Sequence, residues 1–434
     1  MKSPGGGVEA PRNPVPAAEP GRTVEFERVG VDRIDEEART STPWTFAAIV
    51  LGGSVALGSL IYGWIPITFG LGTWAAIGSI AVGTLIGLPL LIPLILIGSR
   101  TATNNATASG AHFGVRGRLI GSFIGLAILL VAVAIVIWTG AGATVAVLAR
   151  LFDTPVNDGT LAIAYAVITL LVVLVAVYGY HLLVRVTTVL MVSGGLLILL
   201  MIPAFAGKID LGYQGGQYML GSFWKTWLLS TVAVGIAGAL QLVTIMGDWT
   251  RYISPRRHPA SRLVPVALLA IFIGFVVPPS VGAIVATTFA DPFTPFPQSL
   301  ATDSPTWYAV LLLPLALFGG VGFGALSVYG AGLDLDAIVA RLTRAQATVI
   351  VSVLSAALVF LGSLVWDASE SIVAAALILL TISAPWAAIV GIGFLRSRGR
   401  YLLDDLQVFN RGERGGAYWF SGGWDWRAAL AWVA

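Results

Sequence analysis

Charged residues divide this sequence into a series of long apolar stretches. The first of them, residues 40–99, contains no Asp, Glu, Lys or Arg. A helix needs about 20 apolar residues to cross the hydrocarbon core of a bilayer, so this stretch is long enough for two spans. The sequence FGLGT at residues 69–73 marks the break between them. Applied to the whole chain, the pattern predicts ten spans, at residues 45–69, 73–97, 119–148, 160–180, 186–206, 224–246, 263–288, 307–330, 346–366 and 371–395.

The composition supports an integral, all-α membrane protein. Hydrophobic residues make up 57% of the 434 residues and charged residues only 11%, with a mean hydropathy of +0.87. Soluble domains average about 25% charged residues, and a water-soluble core could not bury so much apolar surface. The chain has no cysteine and three scattered histidines, which argues against thiol chemistry, a zinc site or another resident metal or cofactor.

The distribution of Lys and Arg predicts the orientation in the membrane. If the N-terminus is cytoplasmic, the loops after the even-numbered spans face the cytoplasm and carry 16 of these cations, whereas the loops after the odd-numbered spans carry 3. Cytoplasmic loops of membrane proteins carry an excess of Lys and Arg. We therefore predict a multi-pass protein of the cell inner (plasma) membrane, surrounded by the lipid bilayer, with its N-terminus in the cytoplasm.

Ten spans fit two inverted five-helix repeats, an architecture of many secondary transporters in which the first helix of each repeat is broken near the midplane. Those helices would be spans 1 and 6. The segment 24–39, in which charged and apolar residues alternate, is interpreted as lying along the membrane surface, as covering a cytoplasmic mouth, or as a linker. Only seven residues follow Arg427, so we expect the chain to end before an eleventh span is complete. The expected divisions are a cytoplasmic tail (1–40), two repeats (41–208 and 209–396), and a loop with the start of span 11 (397–434).

The end of span 6 combines a weak helix with a side-chain amide that is energetically unfavourable in hydrocarbon unless it is hydrogen-bonded. Gly235 and Gly238 precede Gln241 within the apolar run. Glycine weakens a helix by about 1 kcal/mol relative to alanine, and an amide without a partner in hydrocarbon costs several kcal/mol. The pattern is typical of a small-molecule site within the membrane. The alternative is close helix packing with one interhelical hydrogen bond.

Charged and polar residues near the ends of the spans have simpler interpretations. Asp248 and Arg251 form either an inner-gate ion pair that breaks during transport or an interfacial salt bridge. Residues 333–342, LDLDAIVARL, are predicted to form a short amphipathic bridge between spans 8 and 9. No acidic residue lies in the middle of a predicted span, so no proton carrier is evident. The three histidines are expected to be solvated in cytoplasmic loops.

Six short motifs occur along the chain in an order that is typical of one protein family. They are VGVDRIDEEARTSTPW (29–44), GSRTATNNATASGAHFGVRG (98–117), Tyr178-Gly179-Tyr180, Asp248 with Arg251 and Tyr252, Tyr329 with Gly332 and Leu333, and Tyr418, Trp419, Gly422, Gly423, Trp426 and Arg427. Together they resemble the nucleobase:cation symporter-1 family, especially its purine–cytosine permease branch. The resemblance covers the chain from about residue 24 to its end. It implies a leucine-transporter-like fold and uptake of nucleobases or related ring ureides, driven by protons or sodium.

The resemblance also marks positions where this sequence departs from the family. The place of a stacking aromatic residue midway along span 3 is near Ala132, and Trp138 lies two turns beyond it, as a displaced stacking residue or as packing. Span 6 has Ala239 where members often carry an aromatic residue. An aromatic clamp is therefore not evident. The hydroxyls that bind sodium in relatives are replaced by Val, Gly, Phe and Gly at 321–324, with Ser327 nearby, which favours proton coupling or a lost ion site over sodium.

The resulting hypothesis is a secondary active transporter that imports a nucleobase-like solute by alternating access. Its alternative is a non-transporting sensor or a degenerate, truncated permease. Catalysis and nucleic-acid binding are not expected, and the oligomeric state is left open. The candidate gate is Asp248 and Arg251. The candidate substrate-binding residues are Gly53, Ser54, Ala132, Trp138, Gly238, Ala239, Gln241 and Ser327.

Overall fold

The computed structural model describes residues 30–291, 293–339, 342–364 and 372–434. Within these residues nine helices are long and apolar enough to cross a membrane, and a bent pair of shorter helices supplies a tenth span. The spans are Pro43–Gly53 with Leu57–Thr68 (span 1), Thr73–Thr101 (2), Leu119–Phe152 (3), Asp158–Tyr178 (4), Tyr180–Leu199 with Met201–Phe205 (5), Phe223–Leu240 (6), Ala260–Ala286 (7), Thr306–Ile338 (8), Arg344–Leu364 (9) and Ile372–Arg396 (10). The ten predicted spans are confirmed.

Loops and short helices connect the spans at two ends of the bundle. We call one end the N-terminal face; it consists of residues 30–41, 98–118, 251–259 and 397–425. Backbone hydrogen bonds join these loops, for example from the Ile34 amide to the Ala102 carbonyl (2.9 Å) and from the Val115 amide to the Tyr418 carbonyl (3.1 Å). The short helices outside the spans are Glu36–Ala38, Asn105–Ala108, Gly110–Phe113, Met246–Thr250, Phe296–Asp303, Leu403–Leu406 and Trp426–Val433.

Span 1 is broken in its middle, as the repeat architecture requires. Its first half begins with a capping box at Thr42 and ends at Gly53, and the second half begins at Leu57, bent by 62° from the first. The glycines at the end of the first half are needed for packing, because a Cβ added at Gly52 would overlap the Thr187 carbonyl oxygen of span 5. The break exposes backbone in the interior of the bundle, where only a polar cavity or neighbouring protein groups can satisfy it.

Span 6 is also interrupted, and the break falls at Gln241. A π-helical turn at Thr231–Ile236 is followed by one α-helical turn at Ala237–Leu240, and residues 241–245 form turns before the next short helix. The prediction of one helix over residues 224–246 is therefore corrected. The π-turn lies where span 6 meets span 2, since a Cβ added at Gly235 would lie 2.7 Å from the Cα of Gly83. Single π-turns are frequent at functional sites.

The spans associate in two groups. Spans 1, 2, 6 and 7 pack on one another, with glycines that bring helix backbones into direct contact. Spans 3 and 8 form the most extensive helix pair, and spans 4 and 9 pack against span 8. Between the two groups lie the broken segments of spans 1 and 6.

Span 8 is longer than the sequence indicates. Its helix runs without interruption to Ile338, so the first six residues of the predicted amphipathic bridge at 333–342 belong to the span. The reason is that both acidic side chains in this segment are buried in protein. Asp336 accepts a hydrogen bond from the Val31 amide (3.2 Å), and Asp334 lies against Gly125 of span 3.

His112, on the N-terminal face, is packed into the protein and is not solvated as predicted. Its Nε2 lies 3.2 Å from the Tyr401 hydroxyl, and a Cβ added at Gly393 of span 10 would overlap the imidazole ring. Burial disfavours the imidazolium and lowers the pKa of His112 to about 4. The unfolded chain, with an ordinary pKa of about 6.5, binds the proton more readily.

We therefore expect the stability that depends on His112 to be fully present above about pH 6.5 and to be lost as the pH falls towards about 4, by about 3 kcal/mol at most. Unfolding of the purified protein in detergent, measured at pH 7.5 and at lower pH values, checks this. His112→Asn should flatten the dependence, whereas His181→Asn, at an exposed position, should leave it as in the wild type. An equal loss of stability in the His112→Asn and wild-type proteins would contradict the assignment.

Candidate functional site

Two adjoining cavities lie between the broken helices of spans 1 and 6 and the middle of span 3. They enclose about 470 and 360 Å³ of space between atoms, part of which is open to solvent. Both are lined by Tyr62, Ala132, Ile135 and Gln241. These four residues come from the second half of span 1, from span 3 and from the break of span 6, so the cavities form one candidate site at the junction of the two groups of spans.

Span 10 borders the larger cavity. Its wall is mostly aliphatic, and its polar groups are the hydroxyls of Tyr62 and Ser383 and the amide of Gln241. An apolar wall with a few placed polar groups is typical of sites that bind small organic molecules. The remaining lining residues are Ile128, Val131, Ala237, Ala376, Leu379 and Leu380.

The smaller cavity opens on the break of span 1. Ser54, Gly58 and Ser59 line it from the break, and Phe275 of span 7 and Phe323 of span 8 line it from the other side. The half-helix Leu57–Thr68 begins here, and its N-cap residue provides no side-chain acceptor for the first amides. The positive end of a helix dipole therefore faces the cavity, which favours a ligand with hydrogen-bond acceptors or negative charge.

Gln241 is the polar residue that the structure places most directly in the site. It caps the turn Ala237–Leu240, and its backbone amide donates to the Ala237 carbonyl (3.1 Å). Its side-chain amide makes no hydrogen bond within the part of the chain that the structure describes and borders both cavities. An amide group offers two donors and one acceptor, so it can pair with the mixed edge of a heterocycle.

Aromatic rings line the site, contrary to the expectation from the sequence. The resemblance to the family implies a stacking residue in spans 3 and 6, where this chain has Ala132 and Ala239. The rings come instead from Tyr62, Phe275 and Phe323. A signal for Tyr62 exists in the sequence, since it follows Gly58 by one helical turn and must share its face.

The other predicted site residues lie outside the linings of both cavities. Ala239 faces span 2, where a Cβ added at Gly87 would lie 3.3 Å from its methyl group. Gly238 lies beside the ring of Phe275, and Gly53 packs against Leu326. Trp138 donates from Nε1 to the Val359 carbonyl (2.9 Å), which ties span 3 to span 9, and the Ser327 hydroxyl donates to the Phe323 carbonyl (2.8 Å). Of the eight predicted positions, the structure therefore brings Ser54, Ala132 and Gln241 together around one site.

The proposed gate residues are buried at the N-terminal face. Asp248 and Arg251 are 2% and 0% exposed, in the short helix that follows the break of span 6 and just after it. The Arg251 guanidinium donates to the Gly30 carbonyl (2.6 Å) and to the Tyr329 hydroxyl of span 8 (3.0 Å). It therefore links spans 6 and 8, which belong to different groups, with the N-terminal segment.

The N-terminal segment, residues 30–41, closes this face. Arg39 is 5% exposed and donates to the carbonyls of Arg251 (2.9 Å), Ile253 (2.6 Å) and Ser99. The Ser254 hydroxyl bonds to Glu36 and, together with Arg39, holds the pKa of that carboxyl below its ordinary value. The described part of the segment thus agrees with the interpretation that residues 24–39 cover a mouth of the bundle.

Comparisons with known proteins extend this picture. Residues 33–434 match the model of a family of permeases for cytosine and purines, uracil, thiamine and allantoin. The structure is similar to that of Mhp1, a nucleobase-cation-symport-1 family transporter, in a closed conformation with bromovinylhydantoin bound; the identity is 17% and the TM-score 0.74, over 92% of this chain and 87% of Mhp1. For inward-facing Mhp1 the identity is 17% and the TM-score 0.69, over 94% and 88% of the two chains. No curated protein matches the sequence.

The structure is also similar, more distantly, to that of MhsT in complex with L-phenylalanine. The identity is 16% and the TM-score 0.54, over 91% of this chain and 97% of MhsT. Together the structural likenesses confirm the leucine-transporter-like, five-plus-five arrangement predicted from the ten spans. The family match extends over nearly the whole length in which the six motifs were found. It shows a multi-pass transporter. The chain therefore belongs to the family of permeases for cytosine and purines, uracil, thiamine and allantoin.

Proposed function

We propose that the protein imports a nucleobase or a related ring ureide by alternating access, coupled to protons in preference to sodium. The observation that carries this proposal is the site between the broken spans, where the side-chain amide of Gln241 borders both cavities beside the ring of Tyr62. A planar heterocycle complements both groups. Donors and acceptors on its edge can pair with the amide, and its face can pack on the aromatic ring.

The residues that line the site suit a ring-shaped solute with a polar edge. Phe275 and Phe323 border one cavity, and the aliphatic side chains of spans 3 and 10 border the other. Amino groups and carbonyls on a ring edge would pair with Gln241, and carbonyl oxygens would also face the amides at the start of Leu57–Thr68. The family match and the hydantoin bound to Mhp1 are consistent with this solute class.

The side chains of span 8 that approach the break of span 1 favour protons over sodium. The residues of span 8 that approach the break are apolar, since a Cβ added at Gly53 would lie 2.7 Å from Leu326 and 3.4 Å from Phe323. Hard cations prefer several oxygen ligands, which these side chains do not supply. The excess of Lys and Arg in the loops of the N-terminal face supports a cytoplasmic location for that face.

Uptake into cells or proteoliposomes tests the proposal. The protein should accumulate a labelled member of a panel of purines, pyrimidines, allantoin and hydantoins with saturable kinetics. A proton gradient should drive this accumulation and a protonophore should abolish it, whereas replacement of sodium should have no effect. If no member of the panel is transported, the proposed solute class is wrong.

Gln241→Ala should abolish saturable uptake while the protein remains folded, because the variant removes the amide that pairs with the solute and leaves the apolar wall intact. Losing a hydrogen bond to a polar ligand in such a site costs about 1–3 kcal/mol, which is about 5- to 150-fold in affinity, so saturation should no longer be reached at the solute concentrations that saturate the wild type. Gln298→Ala, at an exposed position of the loop between spans 7 and 8, is the matched control and should transport normally. Unchanged kinetics in Gln241→Ala would remove Gln241 from the site.

A further inference from the structure

The start of the half-helix Leu57–Thr68 offers a backbone donor to the solute site. Gly58 lines the smaller cavity, and its amide donates to no acceptor within the residues that the structure describes. The next amide, that of Ser59, is already used, since it donates to the Ala56 carbonyl (3.0 Å). A backbone N–H can only donate, so the Gly58 amide can bind an acceptor of the solute and cannot bind another donor.

Two hydroxyl groups of the same half-helix add to this donor. Ser59 and Tyr62 are three residues apart, so their side chains lie on one face of the helix, and both line the smaller cavity. Neither hydroxyl forms a hydrogen bond with another group in the described part of the chain. Each hydroxyl therefore has its proton available for a bound solute.

Carbonyl oxygens at the break of span 1 lie against span 8 instead. A Cβ added at Gly322 would be 2.8 Å from the carbonyl oxygen of Gly52, and one added at Gly319 would be 2.9 Å from that of Val55. These two backbone acceptors are therefore directed towards the backbone of span 8, whereas the donors of the following half-helix line the cavity.

Side-chain acceptors around the site are few. Among the described residues that line the two cavities there is no Asp or Glu. The Ser54 hydroxyl donates its proton to the Val50 carbonyl (2.8 Å) and offers a solute only its lone pairs. Gln241 adds one carbonyl oxygen beside two N–H donors. The site therefore suits a ring that presents more than one acceptor, with an N–H for the Gln241 carbonyl.

We propose that the solute is a cyclic imide, a ring with an N–H between two carbonyl groups, and that Ser59 and Tyr62 select it over rings with an amino group. This assignment rests on the proposed import of a nucleobase-like solute. The Gln241 carbonyl accepts from the ring N–H, and its amino group donates to one ring carbonyl. The donors of Gly58, Ser59 and Tyr62 serve the second carbonyl.

An amino group in place of the second carbonyl reverses this pairing. Its hydrogens would face the Gly58 amide, which cannot accept, and the hydroxyls of Ser59 and Tyr62 would have to turn to accept. Sites with donors placed for an acceptor bind poorly when that acceptor is missing, because their own polar groups are left unpaired. Carbonyl-bearing rings should therefore bind more tightly than their amino counterparts.

Matched pairs of rings test the preference on the wild-type protein. Uracil with cytosine, and xanthine with guanine, differ by a carbonyl against an amino group at one ring position. Uracil and xanthine should raise the unfolding temperature of the purified protein at concentrations about 5- to 150-fold lower than their amino counterparts. Allantoin and hydantoin carry the same imide edge and should act like uracil. Equal or tighter binding of cytosine and guanine would overturn the imide assignment and leave the proposed function standing.

Two variants test the residues that make the selection. Tyr62→Phe and Ser59→Ala should each raise the required concentration of the imide about 2- to 10-fold and leave that of the amino ring almost unchanged, so the preference falls. A purely structural role would weaken both rings equally. The controls are Tyr213→Phe, which lines neither cavity, and Ser193→Ala, an exposed residue whose hydroxyl donates to the Val189 carbonyl of its own helix.

The outcomes separate selection from the function itself. An undiminished preference in both Tyr62→Phe and Ser59→Ala would overturn the role of the two hydroxyls. If no ring of the panel, imides included, binds to or is transported by the wild type, the proposed function itself is wrong.

Discussion

Gly63→Ala should strongly destabilise the folded protein, although it adds a single methyl group. The new Cβ would overlap the carbonyl oxygen of Pro279 in span 7 and would lie 2.6 Å from the Ala283 amide nitrogen. The contact is reciprocal, because a Cβ added at Gly282 of span 7 would overlap the Leu60 carbonyl oxygen of span 1. Both obstacles are backbone atoms within helices, so no rotamer change relieves the overlap.

Overpacked cores typically lose about 1–3 kcal/mol of stability, and Gly63→Ala should lower the free energy of unfolding by about 3 kcal/mol or more. The yield of monodisperse protein and its unfolding temperature in detergent measure the effect. Gly142→Ala in span 3 is the matched control, because a Cβ there meets nothing within 4 Å. It should leave stability unchanged or raise it by up to about 1 kcal/mol, since alanine favours the helix. Equal stability of the two variants would show that spans 1 and 7 are less closely packed than the structure indicates.

Arg39→Met should open the N-terminal face. The variant keeps much of the apolar stem and removes the guanidinium that donates to the carbonyls of Ser99, Arg251 and Ile253. Hydrogen bonds from a charged donor contribute about 1.5–3 kcal/mol each, so the loss should shift the equilibrium between closed and open states by at least about tenfold. The open state should then expose the residues beneath the segment.

Labelling of an introduced cysteine measures this opening, and the native chain has no cysteine to interfere. Ser99→Cys is a conservative change at a position that is 2% exposed in the closed state. A water-soluble maleimide should modify it at least about ten times faster in the Arg39→Met background, in proportion to the shift in population. Arg33→Met, which removes an exposed arginine of the same segment, should not change the rate. Equal rates in the two backgrounds would show that Arg39 does not hold the face closed.

The spans and the breaks could be read from the sequence because they depend on local composition. Charge-free stretches of sufficient length must cross the membrane. The glycines before Gln241 indicated a weak helix in span 6, although the predicted span ran on to residue 246. The glycines and polar residues at the breaks pointed to Ser54 and Gln241, whereas Ala132 was predicted from the resemblance to the family; all three line the candidate site. The orientation of the side chains around the helices was harder to predict. Trp138 and Ala239 lie on the same spans as site residues and face span 9 and span 2 instead.

The functional residues that could not be predicted from the sequence have one feature in common: their positions depend on how distant segments pack. Tyr62, Phe275 and Phe323 are aromatic residues in apolar spans, where rings are equally compatible with lipid, core or cavity, and only the packing of the spans decides. The burial of Asp334 was not predicted either, because acidic residues near span ends usually reach the interface. Its burial depends on Gly125, more than 200 positions earlier in the chain, which no local pattern could reveal.

The long-range contacts of the N-terminal segment determine when it can dock during synthesis of the protein. It leaves the ribosome before any span, yet its Arg39 contacts lie up to 214 positions later in the chain, and the Val31 amide bonds to a carboxylate 305 positions later. The segment therefore waits, without its native partners, until span 8 has been synthesised and inserted. Its docking marks the completion of assembly, so a protease that cleaves this segment should distinguish nascent or misassembled chains from mature ones.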